Sequence, residues 1–64
     1  MYNIKNVDDF GNVHFFSEGD VWEDGQTAGC KWLAEDDESP RLVIEDVAIA
    51  NRVATRYGGI AVEV

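Results

Sequence analysis

Along the chain, hydrophobic and polar positions change period several times, and each change suggests an element boundary. In "MYNIKNV" Tyr2, Ile4 and, at its end, Val7 are placed on one side, the pattern of a half-buried strand. "DDFGN" follows with turn residues, and Gly11-Asn12 can take positive φ. "VHFF" resumes β character, so residues 1–17 are predicted as a hairpin. "SEGDVWEDGQTAG" is rich in glycine and acid and is predicted as a long irregular connection anchored by Val21 and Trp22. "CKWLA" is apolar enough for a third strand. "RLVIE", after the turn "EDDESP", is expected to return as a fourth strand antiparallel to it.

"DVAIANRVATRYGG" carries the clearest periodicity. Asp46 is a good N-cap, and Val47, Ala50, Ala54 and Tyr57 recur at helical spacing, flanked by Ile49 and Val53. Arg52 and Arg56 lie one turn apart in the C-terminal half, where they complement the helix dipole. Gly58-Gly59 stops the helix, and "IAVEV" is a final strand. A second boundary starts the helix at Ser39 as N-cap with Pro40 at N1, although the β-branched run Val43-Ile44 disfavours it. Both boundaries give the same class: α+β, a small, mostly antiparallel sheet of four to five short strands with one helix in the C-terminal half packed on a face.

Sixty-four residues are expected to form one domain, residues 1–64. A chain of this size buries only about 60% of its unfolded surface, so it gains from docking on a partner or a second copy. The hydrophobic fraction of 45% is that of a globular chain. One cysteine, Cys30, with no charged-then-apolar leader and no long apolar run, points to a reducing, cytoplasmic compartment and to no membrane partner.

Charge changes the picture most. The formal net charge is −8, and residues 1–40 carry ten acids against two bases, whereas residues 41–64 carry three of each. Such a field repels nucleic acid and attracts basic surfaces. The acids cluster at Asp8-Asp9, at Asp20 with Glu23-Asp24 around Trp22, and at Glu35, Asp36, Asp37 and Glu38. The bland alternative is a solvated face that keeps a small protein in solution.

Catalytic and cofactor chemistry find little footing. His14, the sole histidine, sits between Val13 and Phe15 as a sheet residue and lacks a nucleophile motif beside it. One cysteine and one histidine fall short of a zinc site, and the acidic runs miss the calcium-loop register. No glycine-rich phosphate cradle occurs. The expectation is therefore no enzyme, no cofactor and no metal.

The opening "Y-x-I-K" (Tyr2, Ile4, Lys5), Trp22 with Asp24, and the closing "A-x-x-x-A-x-x-x-G-G-x-x-V-x-V" (Ala50, Ala54, Gly58, Gly59, Val62, Val64) span most of the chain. In size, charge and these positions it resembles the small acidic proteins of phages and mobile elements, notably anti-CRISPR and other anti-defence inhibitors. The resemblance implies a sterically acting inhibitor in the host cytoplasm. Its partner would be the basic surface of a nucleic-acid-binding host protein or complex, with no direct contact to nucleic acid. The acidic turn at 35–38 departs from a plain member of that group. The residues expected to carry binding are Asp20, Trp22, Glu23, Asp24, Glu35, Asp36, Asp37 and Glu38. In the alternative reading, a small accessory domain joins an assembly through Arg52, Arg56 and Tyr57 or through the edge strand "IAVEV".

Overall fold

The computed structural model describes all 64 residues. Six strands and one helix follow in the order β1 (Tyr2–Val7), β2 (Val13–Phe16), β3 (Asp20–Val21), β4 (Thr27–Ala28), β5 (Trp32–Ala34), α1 (Val47–Tyr57) and β6 (Ile60–Glu63). Four strands build an antiparallel sheet in the order β5-β2-β1-β6, and β3 and β4 form a separate two-stranded ribbon. The class is α+β, as the periodicity predicts.

The first hairpin forms because its turn satisfies itself. The Asp8 carboxylate accepts the backbone N–H groups of Phe10 and Asn12, both at 2.9 Å, and the side-chain amide of Asn12. Lys5 then pairs with Phe15 and Val7 with Val13. Because side chains alternate strictly along a strand, Val7 cannot share a side with Tyr2 and Ile4. It is half-exposed, which corrects its predicted place at the core.

On the inner face of the sheet, Ile4 and Phe16 join Ala50, Val53 and Ala54 of α1 and Leu42 and Ile44 in one apolar core. Phe16 lies at its centre, 4.5 Å from the Trp32 ring and 5.2 Å from the Tyr57 ring. The outer face carries Asn3, Lys5 and Val7 of β1, Val13 and Phe15 of β2, Leu33 of β5, and Ile60 and Val62 of β6, since paired residues point to the same side. Arg41 lays its guanidinium 3.7 Å above the Phe15 ring and donates to the Glu35 carbonyl.

The helix begins at Val47, not at Ser39. The Asp46 carboxylate accepts the N–H groups of Ala48 at 2.8 Å and Ile49 at 3.1 Å, and Gly58 closes the other end in the left-handed region. The buried stripe is Ala50, Val53 and Ala54. Val47 lies on the flank of that stripe and is half-exposed, a correction to the predicted apolar face.

Two further expectations change. "RLVIE" is not a strand beside β5. After Phe16 the chain turns away from β1, Ser17 donating its N–H to the Lys31 carbonyl, which opens a fork between β1 and β2. Residues 41–44 fill the fork. Leu42 donates to the Phe16 carbonyl at 2.8 Å, Ile44 exchanges two hydrogen bonds with Tyr2 at 2.9 Å, and Asn3 donates its side-chain amide to the Leu42 carbonyl. Only isolated bridges at Arg41 and Ile44 result.

The connection at 17–29, predicted irregular, contains the β3–β4 ribbon. Asp24 organises its tip by accepting the Gln26 N–H, and Trp22 donates to the Gln26 carbonyl at 2.9 Å. The ribbon is too short to bury a face alone, so it leans on α1: Thr27 donates its N–H to the Tyr57 hydroxyl at 3.0 Å.

Candidate functional site

Where the ribbon meets the fork-filling segment, the chain leaves an open cleft of about 480 Å³. Val21, Trp22, Leu42, Val43 and Ile49 give it apolar walls, and Asp20, Glu23, Glu45 and Asp46 give it carboxylates. No basic side chain lines it. Trp22 is 51% exposed in spite of its size, and Val43 is nearly as open. An exposed indole surrounded by anionic groups suits a partner that brings an apolar side chain and a cation together.

The local sequence explains the geometry. The tight turn Trp22–Gln26 fixes the indole at the end of β3, and the fork holds Leu42 to Ile44 by backbone pairing on both flanks. Asp46 is committed to the helix N-terminus, so Asp20, Glu23 and Glu45 are the carboxylates free of such a capping bond.

The eight predicted binding residues do not form one surface. Asp20, Trp22 and Glu23 line the cleft. Asp24, next in the chain, points instead to α1, where Arg56 approaches its carboxylate to 3.9 Å and Arg52 donates to the Glu23 carbonyl at 2.8 Å. There a base is interleaved with the acids. Glu35, Asp36, Asp37 and Glu38 stand at the other end of the sheet. Ala34 pairs with His14, and Glu35 donates its N–H to the Val13 carbonyl, so this turn lies beside the Asp8–Asn12 turn. Residues 42–46 are at the opposite end, next to Tyr2.

Several acids serve the backbone. Asp37 accepts the Ser39 N–H at 2.8 Å, and hydrogen bonding by Ser39 holds its carboxyl below the usual range. The Asn12 backbone N–H does the same for Asp8. His14 faces the Glu35–Asp36 end of β5 in a second, smaller cleft. No three His, Cys, Asp or Glu side chains converge as metal ligands. Cys30 packs beneath Gly19, and burial pushes its thiol pKa up, the reverse of what a nucleophile needs. No helix is long and apolar enough to cross a membrane.

Sequence reasoning missed Val43, Glu45 and Asp46 as neighbours of Trp22. They are distant from it in the chain, and nothing local signals the fork that brings them together.

Fold and cleft together define an α+β module with an anionic, apolar-walled groove. Comparison with protein-family models, curated proteins and solved structures gives no match.

Proposed function

We propose that this protein is a non-enzymatic interaction protein that docks on a basic surface of a nucleic-acid-binding protein and excludes the nucleic acid from it. The half-exposed Trp22, ringed by Asp20, Glu23 and Glu45 with no base in the cleft, carries this reading. Duplex nucleic acid presents a phosphate charge about every 1.7 Å of axis, which its binders meet with Lys and Arg. Carboxylates on rigid turns compete for those same groups, and arginine pairs with them in bidentate fashion. The indole adds an apolar anchor that nucleic acid lacks. The resemblance to anti-defence inhibitors narrows the partner to a host defence complex. The turns at Asp8 and at 35–38 would add a second anionic contact beyond the cleft.

The test is capture of proteins from host lysate on the immobilised protein, repeated at rising salt and with excess duplex DNA or RNA as competitor. Nucleic-acid-binding proteins should be retained at low salt and released by the competitor. Trp22→Ala with Asp20→Lys should lower retention at least about tenfold. Retention indifferent to competitor and to both substitutions would sink the reading and leave the accessory-domain alternative, in which Arg52, Arg56 and Tyr57 or the β6 edge make the contact.

A further inference from the structure

We propose that two copies of this chain pair through the outer edge of β6, giving a two-fold dimer with one continuous sheet running through both copies. The observation is an unguarded edge beside a face without acids. Natural edge strands are blunted by proline, charge or bulges. β6 is regular over Ile60–Glu63 and contains no proline, and its one charge, Glu63, stands at the strand's end on the inner face, paired with Tyr2. Its Ile60 is 58% exposed on the outer sheet face, where Val62 and Val7 adjoin it. In a protein of thirteen acids, no outer-face position of the four paired strands holds one, and the charged side chain there is Lys5.

Register decides the occupant. Val64 donates its N–H to the Met1 carbonyl, so Val64, Val62 and Ile60 turn their backbone groups inward to β1. Ala61 and Glu63 therefore present their N–H and C=O groups at the open edge. An antiparallel second copy with its axis at Val62 matches these groups without remainder: Ala61 meets Glu63 of the other copy and vice versa, each pair exchanging both of its hydrogen bonds. Val62 then faces Val62, and Ile60 faces Val64, so apolar side chains meet apolar ones on the outer face. The strand is its own complement, as an isologous contact requires. Net charge of −8 per copy opposes joining two molecules anywhere, and least where the facing side chains are apolar. The opposite edge, β5, is three residues long and runs into Glu35–Glu38, which disfavours it. None of the cleft residues belongs to β6.

Sedimentation equilibrium of the purified protein over about 10 µM to 1 mM, a span that brackets edge contacts of modest area, tests this. The expected mass rises toward twice that of the protomer, and Ile60→Glu holds it at the protomer value with an unchanged far-UV spectrum. Should Ile60→Glu lose that spectrum, N-methylation of the Ala61 amide in a synthetic chain removes an edge donor while sparing the β1 pairing. A chain carrying Val62→Cys with Cys30→Ala should also oxidise to a disulfide-linked dimer at least about tenfold faster than one carrying Val7→Cys with Cys30→Ala, because facing residues of an antiparallel pair fall within disulfide reach. Protomer mass throughout the range, or a dimer that tolerates both Ile60→Glu and the N-methyl group, overturns the proposal.

Discussion

Gly25 rests on the backbone of Arg52 so closely that a Cβ on it would stand 2.7 Å from the Arg52 carbonyl carbon and 2.9 Å from its oxygen. Its φ of 91° is itself a conformation that other residues avoid. The ribbon tip is thus seated on the helix with no space between them, and the position of Trp22 depends on that seat. Gly25→Ala should cost about 2 kcal/mol or more in urea unfolding, through strain and overlap together. Gly29→Ala, also at positive φ but facing open space, isolates the strain and should cost about half as much.

The hydrogen bond from Thr27 N–H to the Tyr57 hydroxyl fastens the same ribbon at its other strand. Tyr57→Phe keeps the ring against Phe16 but leaves a partly buried donor without its acceptor. A loss of about 1 kcal/mol is expected, with faster hydrogen exchange at the Thr27 amide than in the parent.

Asp46 caps α1 and also faces the cleft, and two substitutions separate these roles. Asp46→Ala removes the acceptor for Ala48 and Ile49 and should lower stability by about 1 kcal/mol, read from thermal unfolding by circular dichroism. Asp46→Asn keeps a capping oxygen and should remain near the parent. If capture of the proposed basic partner also stays unchanged in Asp46→Asn, the negative charge at this position contributes little to that binding.

Asp8 and Asp37 set the acid response. Hydrogen bonds from Asn12 and Ser39 lower their folded-state pKa below the ordinary 3.8, so both are ionised in the native protein. A depressed carboxyl contributes stability that is whole above the unfolded pKa and lost as pH falls through the folded one. Unfolding temperature should therefore begin to drop, through these two groups, as pH descends past 3.8. Carboxyl carbon titration by NMR should place both midpoints under that value, and Asp8→Asn with Asp37→Asn should flatten this part of the pH profile. Midpoints at or above it would show that the turn hydrogen bonds do not persist in solution.

Much of the fold is legible in local pattern. The helix from Asp46 to Gly58 could be read because capping, periodicity and termination all lie within one unbroken stretch of chain. The first hairpin and β6 were equally accessible, since alternation and turn residues are neighbours in the chain. Val7 and Val47 misled because an apolar side chain is permitted, not compelled, to be buried. "RLVIE" misled because β-branched composition reports extended backbone without saying whether a partner strand of sufficient length is beside it.

The site divides along the same line. Sequence alone determined the excess of carboxylates and their concentration in turns, because charge is a property of composition, and it singled out Trp22 by its acidic neighbours. Only the tertiary structure decided that Asp20 and Glu23 face Glu45 and Val43, that Asp24 is taken up by Arg56, and that Glu35–Glu38 stand at the far end of the sheet. The reason is physical. Where a side chain points is settled by the backbone pairing of segments far apart in the chain, here the fork between β1 and β2 and the ribbon seated on α1, and no local pattern encodes the meeting of two such segments.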